Sequence, residues 1–155
     1  MSIKSEKAKE LFKSGCNCSQ AVLGVFCEEY GLDFETAMKI ALSFGGGMGR
    51  MREVCGTVSG MFMAIGLIMG SDDNSNTAKG EHYKRVQELA KRFKEKNGSI
   101  ICRELLQGVD STNTPIPAER NSEYYKKRPC VELVGDAVEI LEEYLKSEKA
   151  ENKVL

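Results

Sequence analysis

The sequence predicts an all-α, single-domain bundle of about six or seven helices spanning residues 1–155. Three observations predict it. Apolar residues recur at helical spacing throughout, with no strand-type alternation. Helix-capping residues and stop-glycines punctuate the chain at intervals of 10 to 20 residues. The length of 155 residues suits one domain with a sizeable core that needs no disulfide staples.

Taken in order, a first helix is expected from about Lys4 to Lys13, broken by Gly15. Asn17 can cap a second that runs to Tyr30 and stops at Gly31. Asp33 can cap a third, ending near Phe44. Gly45-Gly46-Gly47-Met48-Gly49 reads as a flexible break before a central apolar helix from about Glu53 to Gly70. After the polar loop 71–76, a long amphipathic helix is expected over Thr77 to Lys96, stopped by Asn97-Gly98. Ser99 is placed to cap a short helix through Leu106. Gly108 to Arg128 carries no periodicity and reads as a loop, its length pointing to a functional segment. Pro129 sits where a first helical residue belongs, and a last helix runs to about Lys149.

Charge and composition narrow the function classes. Lys and Arg number 22 against 23 Asp and Glu, so no basic excess points to nucleic acid. The uncharged stretch from Val54 to Ser71 is short of the roughly 20 apolar residues of a spanning helix and contains four glycines, so it reads as a buried helix and not a membrane span. The N-terminus is charged and lacks an apolar stretch of the secretory kind, so the expected location is the cytoplasm. There, several cysteines point to catalysis or metal binding before structural bridges.

The six cysteines are Cys16, Cys18, Cys27, Cys55, Cys102 and Cys130. Their spacings match no zinc finger, thioredoxin-type C-x-x-C or ferredoxin run. Four of them, Cys18, Cys55, Cys102 and Cys130, fall at expected helix N-termini. The first turn of a helix offers unpaired N–H groups and the positive end of the dipole, which favour a thiolate. A low thiol pKa is therefore expected at all four. Cys27, on the apolar side of its helix, reads as a packed core residue. Cys16 stands between an auxiliary thiol and a bystander.

Cys55-Gly56-Thr57-Val58-Ser59-Gly60 resembles a C-G-A-x-x-G signature. Behind it stand Phe44 to Arg50, rich in glycine; upstream is Gly15-Cys16-Asn17-Cys18-Ser19-Gln20-Ala21-Val22. Downstream are Cys102-Arg103-Glu104-Leu105 and Arg128-Pro129-Cys130. Together they resemble the C_GCAxxG_C_C family of redox-active proteins, over nearly the whole chain. The resemblance implies a redox role and assigns its four cysteines to Cys18, Cys55, Cys102 and Cys130. Thr57 departs from it, standing where the family has alanine.

Three functional readings follow. In the first, an oxidoreductase-like thiol–disulfide exchange, Cys55 attacks an oxidised partner, Cys18 resolves the mixed disulfide, and Cys102 and Cys130 form a second pair. In the second, the same four thiolates hold an iron–sulfur cluster or another metal and the protein carries electrons. Both imply a redox partner protein or oxidoreductase. The third is a non-catalytic helical interaction protein with buried cysteines. Gly56, Gly60 and Ala64 share a face that reads as close core packing, with a homodimer seam as the alternative. Arg50 and Arg52 could stabilise a thiolate or a cluster, with exposed, solvated arginines as the equal alternative. His82, the only histidine, reads as a surface residue.

Overall fold

A computed structural model describes residues 2–107, 109 and 112–154, with the side chains of 127 and 150–154 left out of the description. Its helices are α1 (Ile3–Lys13), α2 (Cys18–Gly24), α3 (Phe34–Leu42), α4 (Gly45–Met48), α5 (Gly56–Met69), α6 (Asn76–Asn97), α7 (Cys102–Leu105), α8 (Ser122–Lys127) and α9 (Cys130–Val154). The bundle is all-α as expected. Among the described residues the strand-like pairing is one antiparallel bridge between Val54 and Ile101. No helix among them is long and apolar enough to cross a membrane.

The caps act where the residue types predict. Asn17 accepts from Gln20 N at 3.0 Å while the Gln20 side chain accepts from Asn17 N at 2.9 Å, a reciprocal capping box. Asp33 accepts from Thr36 N and Ser75 accepts from Ala78 N. Gly31 and Gly98 close their helices in the left-handed conformation.

The core lies where α5 packs across α2, with α9 covering both and α1 lying against α9. Val22, Phe26, Val58, Met61, Ile65, Val134 and Leu141 are all buried there. Each contributes about 1.5–3 kcal/mol by leaving water. The α2–α5 crossing is close because Gly60 has no side chain: a Cβ there would stand 2.8 Å from Ser19 O and 3.0 Å from Val22 Cβ. The small-residue face of α5 is thus internal packing, as read from the sequence.

Five local expectations need correction. The second helix does not continue to Tyr30; it ends at Gly24, where Met38, Phe34 and Leu11 crowd the missing Cβ, and the chain tightens into a 3-10 turn at Glu28–Tyr30. The glycine run is not a flexible break. Gly46, Gly47, Met48, Gly49, Arg50 and Arg52 all have positive φ, forming a left-handed turn that glycine makes accessible. Ser99 is not a helix cap, because residues around Ile101 are extended to pair with Val54, and α7 begins only at Cys102. Of the expected loop 108–128, residues 108, 110 and 111 lie outside the described residues, and the rest is not wholly irregular: Asn121 caps the short α8. The last helix begins at Cys130, after Pro129, and extends past Lys149.

Candidate functional site

The four cysteines singled out by helix position line one cavity of about 70 Å³. That is room for only a few water-sized groups. Cys18 is the first residue of α2, Cys55 immediately precedes α5, and Cys102 and Cys130 open α7 and α9. Four helix starts therefore meet at one cavity. Cys16 and Cys27 lie outside the cavity lining, Cys27 in the core as expected.

Glycines set the approach. The Cys18 sulfur rests on Gly56, where an added Cβ would come within 2.5 Å of Cys18 Sγ and 2.6 Å of Phe44 O. Gly47 lets the left-handed turn pass Cys102, since a Cβ there would stand 2.7 Å from Cys102 Cβ. Gly47 in the left-handed turn thus serves the approach to Cys102. Backbone bonds lock the two strands of chain together: Cys55 N donates to Ile100 O at 2.8 Å and Cys102 N donates to Glu53 O at 2.6 Å.

Cys55, Cys102 and Cys130 do not have the lowered pKa expected of helix ends. Burial pushes Cys55 far up, and the neighbouring Cys18 adds to this more than Cys102 does. Burial likewise pushes Cys130 up to about 12, with Cys18 and then Cys102 reinforcing it. Cys102 is raised by burial against the opposing pull of Arg52. The physical reason is that four sulfurs sharing a small apolar-walled space lose water and repel one another's charge. These outweigh the dipole at the helix starts. Cys18 acts on all three of the other thiols, which makes it the hub of the set.

Cys55 and Cys102 are 6% and 7% exposed, whereas Cys18 and Cys130 are half-buried. The reachable thiol of the Cys18–Cys55 pair is accordingly Cys18. Thr57 is 1% exposed; its hydroxyl has no oxygen or nitrogen partner and lies against the Cys55 thiol, whose thiolate it favours.

Three guanidinium groups flank the thiols. Arg52 is only 5% exposed; its Nε donates to Thr112 O at 3.0 Å, and its Nη1 lies 3.7 Å from Cys102 Sγ. Its backbone φ of 61° is a strained conformation for a non-glycine residue. Arg120 donates to Phe12 O and, at 3.0 Å, to Cys16 O, and its guanidinium lies 4.3 Å over the Phe12 ring. Arg128 lies 4.8 Å over the Tyr124 ring. The sequence flagged Arg52, but Arg120, Tyr124 and Phe12 were not found by sequence reasoning. The paired tyrosines in an otherwise irregular segment were the one available signal. His82 lies beside Arg85, 3.3 Å away, and takes no part in the cavity.

Among the described residues, no three Cys, His, Asp or Glu side chains converge closely enough to hold one metal ion. The sulfurs surround a space and do not meet at a point, so the arrangement does not fit a single tetrahedral ion.

Fold and site together define a helical protein built around a four-thiol cavity. The chain belongs to the C_GCAxxG_C_C family: the family model described as "Putative redox-active protein (C_GCAxxG_C_C)" matches residues 16–144, a span that contains all four thiols. An uncharacterized protein of Archaeoglobus fulgidus is 27% identical over 158 residues, covering 94% of this chain and 98% of its own length. No solved structure matches significantly.

Proposed function

We propose that this protein is a thiol–disulfide redox protein in which Cys18 and Cys55 are the exchanging pair. The observation that carries the reading is the seat of the Cys18 sulfur on Gly56, beside Cys55, within a cavity that also holds Cys102 and Cys130. In this reading the roles differ from those expected from sequence. Half-buried Cys18 forms the mixed disulfide with the oxidant, and buried Cys55 resolves it. In the same reading Cys102 and Cys130, which line the cavity too, accept the oxidation in turn as a second pair. Location in the cytoplasm, and a redox partner protein that reduces the Cys18–Cys55 disulfide again, belong to the same reading.

The test is oxidation of the fully reduced protein with one equivalent of a small disulfide, followed by peptide mapping. Two thiols lost and a linked Cys18–Cys55 peptide are expected. In Cys55→Ser the mixed disulfide on Cys18 should persist. Six thiols still free after treatment would refute the exchange reading.

A second reading, an electron carrier with an iron–sulfur cluster on the same four thiolates, is supported by their number and their shared cavity. Anaerobic purification followed by a visible spectrum and iron and sulfide analysis separates the two. Near-stoichiometric iron and sulfide, lost in Cys55→Ser, would establish the cluster and remove simple exchange.

A further inference from the structure

The thiol cavity shares a wall with a second, larger and more open cavity of about 400 Å³. The shared wall consists of Asn17, Gly46, Arg52, Arg120, Tyr124 and Arg128. Arg50 adds a fourth guanidinium to the outer cavity, where it donates to Thr114 O at 2.8 Å. Among the described residues no aspartate or glutamate lines either cavity.

That charge pattern is specific. A guanidinium buried to the extent of Arg52 is ordinarily matched by a carboxylate. Its partners here are a backbone carbonyl and a thiol sulfur. Arg120 is likewise held by two carbonyls and two aromatic rings. Carbonyls and rings orient a guanidinium without cancelling its charge. Thiols that burial keeps protonated do not cancel it either. A cleft lined by one sign of charge concentrates small ions of the other sign and raises their rate of arrival.

We infer that the oxidant is a small anionic disulfide, whose charged end is held in the arginine-lined outer cavity while its sulfurs reach Cys18. The inference rests on the exchange reading and adds the substrate class to it. Size agrees with charge: the inner cavity admits only a few heavy atoms by volume, enough for a disulfide end and not for a folded protein loop. The outer one, of about 400 Å³, is in the range of small-ligand sites.

The chemistry balances without a further reactant. Cys18 sulfur gives up its proton and attacks one substrate sulfur; the substrate S–S bond breaks, a mixed disulfide forms, and one R–S⁻ leaves with that proton as R–SH. Cys55 sulfur then attacks Cys18 sulfur, the mixed disulfide breaks, and the second R–S⁻ leaves with the Cys55 proton. The sum is R–S–S–R + 2 Cys–SH → Cys–S–S–Cys + 2 R–SH. The arginines take no part in bond making; they hold the anion and stabilise the thiolate that leaves.

The experiment is single-turnover oxidation of the reduced full chain by three compact disulfides: dithiodiglycolate, a dianion; 2-hydroxyethyl disulfide, neutral; and cystamine, a dication. Each rate is divided by the rate of the same disulfide with 2-mercaptoethanol, which removes intrinsic reactivity. The dianion should lead the neutral probe by about tenfold and cystamine by more, the advantage shrinking as salt rises from about 0.05 to 0.5 M. Arg50→Gln and Arg128→Gln should each reduce the dianion rate by a larger factor than the neutral one. Normalised rates within about twofold of one another, insensitive to salt, would overturn the inference.

Binding of thiodiglycolate, a thioether dianion that cannot oxidise a thiol, is measured by calorimetry on the same reduced protein. Oxidation by all three probes without thiodiglycolate binding leaves exchange standing and removes the anionic substrate. Thiodiglycolate binding without oxidation by any probe removes exchange, and with it the assignment of a disulfide as the bound anion.

Discussion

Replacing Gly56 with alanine drives a methyl group into the place where Cys18 sulfur sits. The added Cβ would lie 2.5 Å from Cys18 Sγ and 2.6 Å from Phe44 O. The sulfur could move by rotating, but the Phe44 carbonyl is backbone and precedes the left-handed turn, so relief requires shifting α5 or that turn. Over-packing of this kind costs about 1–3 kcal/mol. Alanine recovers part of that through its better helix propensity, up to about 1 kcal/mol. The net expectation is destabilisation by about 1–2 kcal/mol. In a domain of this size that is a fall in Tm of about 2–8 °C. Urea denaturation, read as a shift in midpoint at constant slope, measures it. Gly80→Ala is the matched control: Gly80 also lies in a helix, but nothing stands within 4 Å of its added Cβ. It should stabilise by about 0.5–1 kcal/mol. Opposite signs are required. A Gly56→Ala protein as stable as wild type, with unchanged Cys18–Cys55 pairing, would show that the sulfur is not seated on that backbone.

Other outcomes follow from the same geometry. Cys130, pushed up to about 12 in the folded state, exceeds its unfolded value near 8.5, so the native state retains its proton longer as pH rises. Its contribution to stability is therefore full below about pH 8.5 and is lost progressively as pH rises toward 12. Alkylation of Cys130 in the native protein should be slow at pH 8 and accelerate above pH 9; half-maximal reaction below pH 8 would contradict the burial argument. Asn17→Ala removes the capping box and the Asn17 Nδ2 donation to Leu42 O, and should lower unfolding free energy by about 1–2 kcal/mol in urea titrations. Arg120→Ala deletes two bonds to the α1–α2 connection and the stack on Phe12; limited proteolysis should then cut the segment around 112–121 at lower protease concentration. Thr57→Ala removes the hydroxyl that favours the Cys55 thiolate, so resolution of the Cys18 mixed disulfide should slow while its formation does not.

The helices were legible in the sequence wherever a cap or a stop-glycine had a local mechanism. Asn17, Asp33, Gly31 and Gly98 act as their residue types dictate. The helix starts also singled out the four cysteines that line one cavity. What the sequence could not supply was distance. Cys102 reaches the site because Ile101 pairs with Val54, a contact across 47 residues that no local pattern signals. Arg120 acts from an irregular segment through backbone carbonyls of Phe12 and Cys16, and carbonyl acceptors leave no trace in residue type. The thiol pKa expectation failed for a related reason. The dipole of a helix end is a local property, readable in sequence; desolvation and mutual repulsion exist only once four helix ends have met.

Assembly from four separated helix starts also fixes when during synthesis the site can first exist. Translation at about 5–20 residues per second separates the appearance of Cys18 from that of Cys130 by about 6–22 s. Throughout that interval Cys18 and Cys55 lack the α9 wall that closes their cavity. No fragment that ends before Cys130 contains the site, so a truncated or stalled chain carries thiols without the enclosure that governs them. The same thiols that are sheltered in the finished fold are, in the nascent chain, open to whatever oxidant is at hand.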